Sequence, residues 1–213
     1  MASLVRLRRF QPENMAAAPI ALVFGGPGSG KSALLRDLCE SKRDAVNFVS
    51  CAQLPSPEAL DAYLVALRRE GAGGRQQHCV VADGVCSDDR DLLACKGVRR
   101  VVANGRALHT GLLASFDDAS VALDDPALCA VADYVFLLAG GPAPARVYDA
   151  FLARGACARW LDRGAFGRVA ARATETPYAC LVLDLARRVP RAAEDVLHWY
   201  EAVDRAERVV AAD

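Results

Sequence analysis

Five apolar residues, Ile20-Ala-Leu-Val-Phe24, run straight into Gly25-Gly-Pro-Gly-Ser-Gly30-Lys31-Ser32, and a helix-like segment, Ala33-Leu-Leu-Arg-Asp-Leu38, follows at once. Strand, glycine-rich loop and helix in that order, over the pattern G-x-x-x-x-G-K-[ST], constrain the fold more than any other stretch of the chain. The glycines let the backbone wrap closely around an anion. The loop N–H groups and the helix N-terminus present partial positive charge to it. Gly25, Gly26, Pro27, Gly28, Ser29, Gly30, Lys31 and Ser32 are therefore the expected binding residues for ATP. Lys31 supplies a point charge for the β- and γ-phosphates, and Ser32 Oγ a ligand for Mg2+. Lysine usage agrees: Lys31, Lys42 and Lys96 are the only lysines among 26 Lys plus Arg.

Beyond the loop, apolar runs alternate with segments of helical period. Strands are expected over 45–51, 78–82 (closing on Asp83), 110–115, 134–138 and 178–184. Helices are expected over 31–41, 58–70, 88–95, 98–105, 145–154 and 159–172, with a charged amphipathic helix over 191–212. The alternation predicts an α/β fold, a P-loop NTPase with a mainly parallel sheet and helices on both faces, its ligands bound at the carboxyl ends of the strands. A length of 213 residues suits one domain. Residues 1–18 read as a lead and 19–213 as the P-loop domain with its C-terminal helix.

Composition narrows the partners. Hydrophobic residues make up 53%, charged residues 24%, and the net charge is +0, so no broad basic coat for nucleic acid is present. A few arginines gathered at the pore of a ring remain compatible with that balance. Eight cysteines without a C-x-x-C pair, and three histidines, form no zinc spacing and read as reduced core thiols. No run approaches the ~18 apolar residues of a membrane span. The expectation is a soluble, intracellular chain.

A P-loop enzyme also needs an acid for Mg2+ at the end of a neighbouring apolar strand. Asp83, after Cys79-Val-Val-Ala82, fits that role, with Asp133 and Asp184 as weaker rivals. The group that orients the attacking water is less plain. Gly84 follows Asp83 and has no side chain; Asp88 and Asp89 lie further on, where a solvated helix-capping pair is the plainer reading. Ser115 or Asp117, at the end of the fourth strand, is placed to sense the γ-phosphate, although an aspartate facing a triphosphate is electrostatically awkward. Arginines available for charge stabilisation are Arg99, Arg100, Arg106, Arg146, Arg154 and Arg159, each also readable as a surface residue. Arg106 is the one assigned to catalysis, with Lys31 and Asp83.

Five segments taken in order resemble one family, the DNA-packaging ATPases of poxviruses and related large cytoplasmic DNA viruses, which are P-loop motors related to the FtsK/HerA translocases. They are Arg9-Phe-Gln-Pro-Glu-Asn-Met15 before Pro19-Ile20, the loop GGPGSGKS, the strand ending in Asp83, Asn104-Gly-Arg-Ala-Leu-His109, and Ala173-Thr-Glu-Thr-Pro-Tyr-Ala-Cys-Leu-Val-Leu-Asp184. The resemblance implies Mg-ATP hydrolysis coupled to packaging of double-stranded viral DNA. It also implies a homo-oligomeric ring, virion assembly partners, and a place in the host cytoplasm at the viral factory or with the virion. Lys31, Ser32 and Asp83 carry over as nucleotide and Mg2+ residues. The family's second acid falls on Gly84, its amide after the fourth strand near Phe116–Asp117, and its arginine before the fifth near Cys129. Two other readings stay open: a small P-loop kinase, with Arg146, Arg154 and Arg159 as a lid, and a nucleotide-binding structural subunit that hydrolyses slowly or not at all.

Overall fold

The computed structural model of the protein describes residues 6–50, 57–70, 77–85, 96–153, 156–186, 190 and 192–202. Its centre is strand β2 (Ile20–Phe24), all five side chains of which are buried. Parallel strands hydrogen-bond it on both sides: β5 (Thr110–Phe116), with Ile20 beside Leu112 and Phe24 beside Phe116, and β6 (Tyr134–Leu138), with Ala21 beside Tyr134. A strand covered on both faces needs an unbroken apolar run, which is why 20–24 shows no polar alternation.

Outward from this core lie β4 (Gln77–Val85) and β3 (Val46–Ser50) on one side. On the other lie β7 (Ala179–Asp184), β8 (Leu197–Glu201) and the two-residue β1 (Arg8–Arg9). The eight strands run in the order β1-β8-β7-β6-β2-β5-β4-β3, and every neighbouring pair is parallel except the two that β7 makes. The fold class is thus α/β with a mostly parallel sheet.

Helices cover both faces unequally. Along β2 successive side chains alternate faces. Ala21 and Val23 meet Leu34, Leu35 and Leu38 of α1 (Lys31–Lys42), together with Phe10 and Met15 of the lead. Ile20, Leu22 and Phe24 face the larger layer of α2 (Pro57–Glu70), α3 (Lys96–Asn104), α4 (Ser120–Leu123), α5 (Pro126–Val131), α6 (Pro144–Phe151) and α7 (Arg163–Ala173). Cys39, Cys79 and Cys180 belong to the packing on the α1 face. Burial pushes the Cys39 thiol up to about 12 and Cys129 to about 11, and raises Cys79 and Cys180 as well.

One expectation needs correction, and the lead packs against the rest of the chain. Arg8 and Arg9 pair with His198 and Trp199, Phe10 packs edge-on against Tyr134 and Phe136, and Lys42 Nζ donates to the Glu13 and Met15 carbonyls at 2.7 Å. The stretch expected as one helix over 191–212 contains a strand. Residues 197–201 pair antiparallel with β7, Leu197 entering one core and Tyr200 the other. Bulky aromatic side chains and the hydrogen-bonding edge of β7 outweigh the charge pattern there. Tyr200 Oη donates to Asp37 Oδ2 at 2.5 Å, tying this strand to α1, and burial raises the phenol's pKa. The expected helix over 88–95, and residues 203–212, lie outside the described residues.

Candidate functional site

The loop after β2 closes on itself and on β6. Ser29 N–H donates to the Gly26 carbonyl at 3.2 Å, and Gly26 N–H to the Ala139 carbonyl at 2.9 Å. Pro27 and Gly28 form the exposed tip. Gly30 caps α1 at φ +98°, a left-handed conformation, and a Cβ there would stand 2.4 Å from the Tyr178 ring, so only glycine fits. No side chain caps α1, and its first turn carries no acid, which leaves the leading N–H groups open to an anion. Ser32 is exposed in that turn, and Ser29 Oγ is buried without a hydrogen-bond partner among the described residues. An uncapped helix start, a backbone cradle and an orphaned hydroxyl are a donor set that suits phosphate.

Lys31 is the buried charge of the cradle, 8% exposed. Its ammonium donates to the Gly25 carbonyl at 2.9 Å and the Gly26 carbonyl at 3.0 Å, and lies 3.0 Å from Asp117 Oδ1. Three partners match its three protons. Two of them are backbone of the loop itself. The third, Asp117, is a side chain 52% exposed and is the one a phosphate can replace.

Asp83 reaches the same end of the sheet through a β-bulge. Ala82 pairs with Ala114 and Val85 with Phe116, so Asp83 and Gly84 together oppose Ser115. Gly84 takes φ +74° to make the bulge. The fully buried Ser115 hydroxyl donates to Asp83 Oδ1 at 2.5 Å and accepts from Gly84 N–H at 2.8 Å. Asp83 itself stays exposed at the carboxyl end of β4, aimed by a hydroxyl that is itself fixed. Because β5 lies between β2 and β4, its end residues Ser115 and Asp117 stand between the loop and Asp83. Ser32 and Asp83 are the residues that could hold Mg2+.

Within the chain, Arg106 does not join this group. It precedes β5, forms an ion pair with Asp133 ahead of β6, and Asp133 Oδ2 also accepts from Ile20 N–H at 3.0 Å. Ile20 begins β2 while the loop follows its end, so about 17 Å of strand separates them. Asp184 starts no site either; it pairs with Tyr134 at that same amino-terminal end. Arg99 and Arg146 are engaged with Asp125 and Asp124. Asp88, Asp89 and Arg154 lie outside the described residues.

Tyr178 is the site neighbour that residue patterns did not single out. It holds φ +63°, its ring covers Gly30, and its carbonyl accepts from Ala202 N–H at 3.2 Å. Its only signal is its place at the end of Ala173-Thr-Glu-Thr-Pro-Tyr178.

No protein-family model and no curated protein matches the chain. Solved structures do. One is the cytoplasmic domain of the type VII secretion ATPase EccC of Thermomonospora curvata, with a TM-score of 0.54 and 16% identity over 87% of this chain and 25% of that one. Another is the pCW3 conjugation coupling protein TcpA in its monomer form with ATPγS, with a TM-score of 0.52 and 14% identity over 90% of this chain and 62% of that one. The fold is that of P-loop ATPases. At such identities the likeness concerns the fold, and this chain spans less than two thirds of either protein. Among the described residues, no helix is long and apolar enough to cross a membrane.

Proposed function

We propose that this chain hydrolyses Mg-ATP and uses the energy to move double-stranded DNA, as the packaging motor of a large DNA virus working in an oligomeric ring with virion assembly proteins in the host cytoplasm. The observation that carries the hydrolase reading is the pairing of two features at one end of the sheet. They are a cradle with the buried Lys31, and Asp83 aimed by Ser115 from a strand beyond. The motor reading rests on the five resembling segments, of which the loop, the Asp83 strand and the Tyr178 segment gather at this site.

In this reading the loop N–H groups and Lys31 bind the β- and γ-phosphates. Ser32 and Asp83 would hold Mg2+, which, when bound, neutralises charge on the phosphate oxygens. Ser115 fixes the Asp83 carboxylate, so its orientation needs no rearrangement during turnover. A slow or non-hydrolysing subunit is the second reading, favoured by one feature: Gly84 offers no side chain beside Asp83. The deciding assay is phosphate release from Mg-ATP with and without duplex DNA, run beside light scattering on the eluting oligomer. Turnover stimulated by DNA and abolished by Lys31→Ala is the expected result. Wild-type turnover no greater than that of Lys31→Ala overturns the hydrolase reading, and turnover indifferent to DNA overturns the motor.

A further inference from the structure

Next to Asp83, β4 presents no side chain to an attacking water, because residue 84 is glycine. The neighbouring strand reaches into that space. A Cβ placed on Gly84 would stand 3.4 Å from Asp117 Oδ2, so the Asp117 carboxylate lies against the face that a side chain at 84 would cross. Asp117 N–H donates to the Val85 carbonyl at 2.9 Å, which fastens its backbone to the far side of the same bulge. Its other oxygen lies 3.0 Å from Lys31 Nζ. One carboxylate thus spans from the cradle's cation to the bulge that carries Asp83, and half of it is open to water.

We propose that Asp117 is the catalytic carboxylate of hydrolysis, taking the place left by Gly84; the assignment rests on the ATPase reading above. When phosphate oxygens engage Lys31, the carboxylate gives up the ammonium and accepts a hydrogen bond from water. The water oxygen bonds to the γ-phosphorus as the bond from that phosphorus to the β–γ bridging oxygen breaks. The bonding pair leaves with ADP. The water's proton passes to Asp117 and from there to solvent. Repulsion between the carboxylate and the triphosphate, the awkward feature of an aspartate here, is countered by Lys31 beside it and by the cation that Ser32 and Asp83 would hold.

Two roles in one side chain give opposite mutational signs. As the ion-pair partner of Lys31, Asp117 competes with phosphate; as the base, it speeds the chemistry. Asp117→Asn is expected to slow single-turnover phosphate release from Mg-ATP by about 100-fold. The same change should tighten Mg-ATPγS binding, read by calorimetry, by about two- to five-fold, the modest scale of a half-exposed ion pair. A merely structural role would weaken both. Asp117→Asn turnover within about three-fold of wild type overturns the assignment, as does loss of turnover together with loss of affinity. If wild-type protein binds Mg-ATPγS but turns over no faster than Lys31→Ala, the ATPase reading fails and takes this assignment with it, an outcome distinct from the other two.

Discussion

Two ion pairs sit at opposite ends of the same strands, and they are built the opposite way round. At the carboxyl end the cation is buried and the anion exposed: Lys31 at 8%, Asp117 at 52%. At the amino end the anion is buried and the cation exposed: Asp133 at 3%, Arg106 at 65%. A buried ammonium whose side-chain partner among the described residues is half exposed is a charge held ready for a ligand. A buried carboxylate that also accepts Ile20 N–H is a fastener, joining the starts of β2 and β6. Charge type alone does not separate the two pairs. Which partner is immobilised does.

The contrast predicts different readouts at the two ends. The largest effect after loss of Lys31 itself belongs to Asp83→Asn. It should cut steady-state ATP turnover about 100-fold or more while leaving the melting temperature near that of wild type, because the carboxylate is exposed and, in the proposed function, serves the metal and not the core. If that variant keeps wild-type turnover, Asp83 is only a strand end. At the other end the order reverses. Asp133→Ala removes two hydrogen-bonding roles and strands the Ile20 N–H, a loss of about 2–4 kcal/mol in denaturant unfolding. Arg106→Ala, losing a largely exposed partner, should cost about 1 kcal/mol or less and leave turnover within two-fold. Loss of turnover in Arg106→Ala with its oligomer intact would return that residue to the active site, supplied from a neighbouring subunit.

Why Arg106 stands away from the loop within the chain follows from the same geometry. In a parallel sheet the residues just before a strand gather at its amino end, and ligands bind at the other. Arg106 lies before β5, so its position along the chain already pointed away from the loop. Lys31 was legible from the glycine-rich loop that follows the apolar run 20–24, and Asp83 because it directly follows the run 79–82; both therefore emerge at the carboxyl end. Ser115 and Asp117 were visible as polar ends of a strand, but their roles depend on β5 lying between β2 and β4, and on a bulge at Asp83–Gly84 that only register reveals. The central strands 20–24 and 134–138 were legible in full, since two-sided burial leaves an unbroken apolar signature. Strand β8 was hidden because five residues inside a charged stretch carry little period, and β1 because two arginines carry none. Pairing with a neighbouring strand makes β1, and pairing together with the aromatic residues makes β8.

Nucleotide binding at the carboxyl end of the sheet through Lys31, and not at the amino end, is put to the test by thermal unfolding of wild type, Lys31→Ala and Arg106→Ala, with and without Mg-ATPγS. At about 100 times its dissociation constant the nucleotide should add about 2.7 kcal/mol, a rise of roughly 5–10 °C for a chain of this size. Wild type and Arg106→Ala should both gain that rise, and Lys31→Ala should gain none. A full rise in Lys31→Ala, or its loss in Arg106→Ala, would contradict the account.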